Sequence, residues 1–185
     1  MYPFEFELYT TYVIENDTLT VKYKVVNKDN KEMIFGIGAH PGIKIDLNQE
    51  DYYFELEKEE DNIEFMEVEG NYISDYPAKN LLENKKIINI TKESFINDAI
   101  IIKSFQSNKI TLKQKRDNKK IVEFDISNFP ILGIWSEPNA PYICVEPWYN
   151  MADRVTSTGY LKDKEGIIKL QPNNIFECEY SMKIF

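Results

Sequence analysis

Ile175-Phe176-Glu177-Cys178-Glu179-Tyr180-Ser181-Met182-Lys183-Ile184-Phe185 closes the chain with a clean alternation of apolar and polar residues. Phe176, Cys178, Tyr180, Met182 and Ile184 fall on one side, and Glu177, Glu179, Ser181 and Lys183 on the other. Successive side chains of an extended strand point to opposite faces, so the pattern predicts a β-strand with one face in a core and one in water. The same period of two governs Thr18 to Asn27, where Leu19, Val21, Tyr23 and Val25 oppose Thr20, Lys22 and Lys24. It also governs the opening, where Phe4, Phe6 and Leu8 alternate with Glu5 and Glu7, so the chain is expected to begin already inside a strand. Glu15-Asn16-Asp17, Asn27-Lys28-Asp29-Asn30 and Arg116-Asp117-Asn118 supply turn residues between such runs. Only Lys92 to Asn97 and Leu161 to Glu165 look able to form a helical turn. The expectation is an all-β chain of short antiparallel strands, a sandwich or barrel, forming a single domain over residues 1–185.

A 43% hydrophobic, 14% aromatic composition agrees with half-buried pleated surfaces. The net charge of −9 repels a phosphate backbone and an anionic bilayer, which predicts no nucleic-acid partner and no membrane association. MYPFEFELYT has neither the basic n-region nor the apolar h-region of a signal peptide, and a soluble cytoplasmic protein is the simplest expectation. Cys144 and Cys178 are too few for a disulfide framework and are expected as buried, reduced thiols. One histidine and two distant cysteines give no linear spacing suited to a zinc site, whereas a carboxylate-only calcium site stays open. The acidic stretch Glu57 to Glu64 and the Lys164-Glu165-Gly166 segment read as solvated loops.

Three strands carry residues with chemical potential. In Met33-Ile34-Phe35-Gly36-Ile37-Gly38-Ala39-His40-Pro41-Gly42, Met33, Phe35 and Ile37 share one face while Gly36, Gly38 and His40 share the other. Glycines in register beside a polar residue leave a strip over which a ligand ring would fit, and Pro41 ends the strand next to His40. The alternative is a lone histidine with a purely structural role. In Pro141-Tyr142-Ile143-Cys144-Val145-Glu146-Pro147-Trp148, Ile143 and Val145 should face the core, leaving Glu146 either on an exposed edge, the plainer reading, or turned into a concave surface. Gly133 and Trp135 repeat the glycine device, the tryptophan serving as a platform for a flat ligand or as a core filler. Asp98 starts an apolar strand as a turn residue or as a group directed at a ligand.

Gly38-Ala39-His40-Pro41-Gly42, Asn97-Asp98-Ala99, Leu132-Gly133-Ile134-Trp135-Ser136, Cys144-Val145-Glu146-Pro147-Trp148-Tyr149 and Glu165-Gly166-Ile167 occur in an order that resembles the aldose 1-epimerase (galactose mutarotase-like) family, and within it the LacX-like branch. The resemblance implies an antiparallel β-sandwich of the galactose mutarotase-like supersandwich type, of which this chain would form the C-terminal two-thirds, lacking the N-terminal part. It implies no metal and no organic cofactor. It also implies an aldose monosaccharide as substrate, with His40 as general acid on the ring oxygen, Glu146 as general base on the anomeric hydroxyl, and Asp98 and Trp135 contacting the sugar. Ring opening needs one proton to leave the C1 hydroxyl while another reaches the ring oxygen, so an acid and a base flanking the anomeric centre are the residue types the reaction requires. The competing expectations are a noncatalytic or vestigial carbohydrate-binding domain and a hexose-phosphate 1-epimerase, the latter disfavoured by having only Arg116 and Arg154 to meet a phosphate. Strands lost from the sandwich would leave open sheet edges, which predicts a homo-oligomer.

Overall fold

A computed structural model describes residues 2–48, 52–75 and 79–185. Strand formation follows the alternation almost residue for residue. Seven strands make the larger sheet, in spatial order Phe6–Glu15 (β1), Thr18–Asn27 (β2), Ile175–Ile184 (β17), Lys120–Asp125 (β13), Lys109–Gln114 (β12), Tyr52–Leu56 (β5) and Ile87–Ile90 (β10). Six make the smaller one: Gly42–Lys44 (β4), Tyr142–Trp148 (β15), Ile131–Trp135 (β14), Ile100–Lys103 (β11), Glu64–Met66 (β6) and Lys79–Asn80 (β9). Two ribbons complete the set, Ile168–Leu170 (β16) with Met33–Phe35 (β3), and Val68–Glu69 (β7) with Tyr72–Ile73 (β8). Among the described residues all pairings between these strands are antiparallel, and one isolated bridge, Ile73 with Arg154, is parallel. The two anticipated helical segments amount to a run of turns at 92–97 and a single 3-10 turn at Leu161–Asp163. No helix among the described residues is long and apolar enough to cross a membrane.

The core lies between the sheets. Phe54, Ile88, Ile110, Leu112, Val122 and Phe124 of the larger sheet meet Ile100, Ile102, Leu132, Ile134, Ile143 and Val145 of the smaller. A second apolar cluster of Met66, Ile73, Ile101, Ile131 and Met151, with Trp148 against it, lies on the opposite, outer face of the smaller sheet. Cys144 and Cys178 are both buried free thiols. Turn chemistry matches the sequence: Asn16 and Asn118 adopt φ of 54° and 58°, and Asn27 Oδ1 accepts from the Asp29 amide at 2.9 Å.

Two expectations fail. The apolar residues of β1 are not buried, since Phe6, Leu8, Tyr12 and Ile14 are 42% to 77% exposed: β1 is the edge strand of the large sheet, and burial on this face stops at Val21 and Val25 of β2. The acidic loop after β5 is not wholly solvated. Glu60 is 3% exposed and accepts from the amides of Gln106 and Ser107, at 2.8 and 2.9 Å, and from Ser107 Oγ at 3.0 Å. A buried carboxylate survives when several donors replace its water, and here those donors come from the loop between β11 and β12.

Candidate active site

The segment from Ile37 to Pro41 runs antiparallel to the end of β15 as its outer neighbour. The Ala39 amide donates to Pro147 O at 3.0 Å, Tyr149 N to Ile37 O at 2.9 Å and Val145 N to Pro41 O at 3.2 Å. Pairing of Gly42 with Cys144 and of Gly38 with Trp148 carries His40 directly opposite Glu146. Because alternate residues share a face, His40, Cys144, Glu146 and Trp148 all emerge on the outer side of the smaller sheet, away from the Ile143 and Val145 core. His40 Nε2 lies 3.2 Å from Glu146 Oε1.

The two partners differ sharply in environment. The His40 side chain is 57% exposed, whereas that of Glu146 is 3% exposed, which corrects the reading of Glu146 as an exposed edge residue. Burial pushes the Glu146 carboxyl up to about 7, the negative charge of Asp98 adds to the rise, and a hydrogen bond from the Trp148 indole N–H opposes it. The generic expectation of a fully ionised glutamate at neutral pH therefore does not hold here.

Asp98 is a turn residue with φ of 75°, its Oδ1 accepting from the Ala99 amide at 2.7 Å, and its charge is felt at Glu146. Trp135, half-buried, stands edge-on to His40 with ring centroids 5.9 Å apart, and Tyr142 packs beside it at 6.2 Å. The fold thus gathers His40, Glu146 and Trp135 at one place, with Asp98 at electrostatic range.

The glycine strip has a different cause from the one expected. A Cβ on Gly36 would stand 1.9 Å from Asn150 Oδ1, one on Gly38 2.6 Å from Trp148 Cδ1, and one on Gly133 2.9 Å from Trp148 Cζ2. The glycines make room for this protein's own Asn150 and Trp148, whose indole reaches from Gly38 across to Gly133, and not for a ligand ring. Trp148, Asn150 and Cys144 are thus the site residues that sequence reading missed. Parity offered the signal for two of them, since Cys144 and Trp148 alternate in phase with Glu146. Beside the indole, Gly36, Gly38, His40, Asn150, Met151 and Ala152 line an open hollow of about 330 Å³.

The fold and the site together define an antiparallel β-sandwich that carries an imidazole and a buried carboxylate facing each other on an outer sheet face. The aldose 1-epimerase family model matches residues 1–153, and the chain belongs to that family. It is 30% identical to the plasmid-encoded and chromosomal LacX proteins of Lactococcus lactis subsp. lactis, over 99% of this chain and 63% of theirs. The structure superposes with a TM-score of 0.85 on a galactose mutarotase related enzyme from Lactobacillus acidophilus, at 28% identity, covering all of this chain and 63% of that one. With a galactose mutarotase-like protein from Lactobacillus casei the TM-score is 0.89 at 25% identity, covering all of this chain and 65% of that one. The chain therefore spans somewhat less than two thirds of the length of these relatives.

Proposed function

We propose that this protein interconverts the α and β anomers of an aldose by general acid and base catalysis, with Glu146 accepting the proton of the anomeric hydroxyl and His40 delivering one to the ring oxygen. The observation that carries this reading is the 3.2 Å juxtaposition of His40 Nε2 and Glu146 Oε1, set by strand register. A base is most effective when its pKa lies near the working pH, and burial places Glu146 there. The direct contact closes the space a sugar must enter, so the exposed His40 ring swings outward as substrate arrives while the buried Glu146 stays fixed. Trp135 supplies an apolar wall and Asp98 an acceptor for sugar hydroxyls.

A noncatalytic carbohydrate-binding role is the second reading, favoured by the openness of the hollow and by the self-contact of the proposed acid and base. A phosphorylated sugar is disfavoured, because Arg154, which lies beside Met66 of the outer apolar cluster, already faces Glu165 at 3.5 Å and Asp75 at 4.0 Å. Anomer exchange followed by polarimetry or NMR tests the proposal. Glu146→Gln and His40→Ala each lower the rate by about 10²- to 10⁴-fold on the enzymatic reading. Equal rates in all three proteins refute it.

A further inference from the structure

We propose that His40, Cys144 and Glu146 form a binding site for a thiophilic divalent cation of the Zn²⁺ type. Linear spacing hides this group, but strand pairing assembles it: Gly42 pairs with Cys144, which places the thiol on the same face as Glu146 and next to the His40 position. The imidazole nitrogen, the thiol sulfur and a carboxylate oxygen all lie within 4.8 Å of one another, the one such trio among the described residues. Three protein ligands of mixed nitrogen, sulfur and oxygen character, with a fourth position left to solvent, are the donor set that zinc takes in open sites.

The geometry is close to what the ion needs. Tetrahedral zinc with bonds of about 2.0 to 2.3 Å sets its ligand atoms about 3.3 to 3.7 Å apart. The His40 to Glu146 separation of 3.2 Å already matches one edge of that tetrahedron. The thiol sulfur lies within 4.8 Å of both other donors, and rotation of the His40 ring, which is 57% exposed, brings its nitrogen toward the sulfur. On binding, the thiol proton leaves to water and the thiolate and carboxylate together neutralise the dication. A fourth ligand enters from the solvent side, where His40 lies.

This site uses the same imidazole and carboxylate as the proposed proton transfer, so, resting on that reading, a bound cation and anomer exchange exclude one another. Cobalt(II) reports the ion directly through thiolate-to-metal absorption, independent of any activity. Titration of the full chain with Co²⁺ is expected to give a single-site thiolate band that Zn²⁺ displaces. The band disappears in Cys144→Ser and persists in Cys178→Ser. In His40→Ala, which removes only an exposed ring and so leaves folding intact, binding weakens at least about tenfold. No thiolate band in the wild type, or an unchanged band in Cys144→Ser, overturns the site. A normal cobalt band in a protein whose metal-free form shows no anomer exchange supports the site and sinks the enzymatic reading instead.

Discussion

Replacing Glu146 by glutamine probes the buried carboxylate through stability alone, without any substrate. In the folded protein its pKa rises from 4.5 to about 7, chiefly through burial. At 1.36 kcal/mol per unit, that difference makes the ionised carboxylate a penalty on folding of about 3 kcal/mol. The sign follows from proton counting. Between pH 4.5 and 7 the folded state holds a proton that the unfolded chain has released, so stability is fully present below 4.5, declines as pH rises, and levels off above about 7. The groups facing the carboxylate are His40 from the neighbouring segment, Cys144 and Trp148 from its own strand, and Asp98 in the turn before β11. Urea unfolding of wild type and Glu146→Gln at pH 5 and pH 8, repeated in a His40→Ala background to remove the imidazole, isolates the term. Glutamine cannot ionise, so it gains on the wild type by about 2.5 kcal/mol between the two pH values, the rest of the penalty being already present at pH 5. A stability difference that does not change with pH, or that shifts in favour of the wild type as pH rises, refutes the account of the site electrostatics.

The same group sets the pH dependence of catalysis: if Glu146 is the base, kcat/KM for anomer exchange rises with pH along a limb centred near 7, and a limb centred near 4.5 contradicts its burial. Glu60→Ala strands two amides and a hydroxyl and lowers stability by about 2 to 4 kcal/mol in denaturant unfolding, whereas a loss below about 0.5 kcal/mol would show that solvent replaces the carboxylate. The exposed apolar row of Phe6, Leu8, Tyr12 and Ile14 is expected to drive self-association, so that light scattering on Leu8→Lys/Ile14→Lys reads a smaller species than the wild type; a wild-type monomer at all concentrations rules this out.

Much of the strand content was legible because period-two alternation is a local property: β2 spans Thr18–Asn27 and β17 spans Ile175–Ile184, as the pattern indicates. The faces of the segment around His40 were also legible, with Met33 and Phe35 buried and His40 exposed. Burial of Glu146 was not, because it depends on Trp148 folding over it from two residues away and on the neighbouring segment closing one side. The role of the glycines was misread for a related reason. A glycine announces that something approaches the backbone, without saying whether the visitor is a ligand or, as here, the chain's own indole. Glu60 shows the same limit, since its donors lie more than forty residues away, in the loop before β12. The exposed face of β1 marks where alternation predicts orientation but cannot say whether an opposing layer exists.

His40 and Glu146 sit far apart in the chain yet share one ladder, so their spacing is fixed by main-chain pairing and not by the sequence that intervenes. A shift of that pairing by a single residue would turn Ala39 outward and send the imidazole into the apolar interior, because side-chain orientation inverts at every step. Insertions and deletions in the connecting loops leave the pair untouched, while a substitution that disturbs the amide contacts of Ala39, Val145 or Tyr149 separates its members without altering either one.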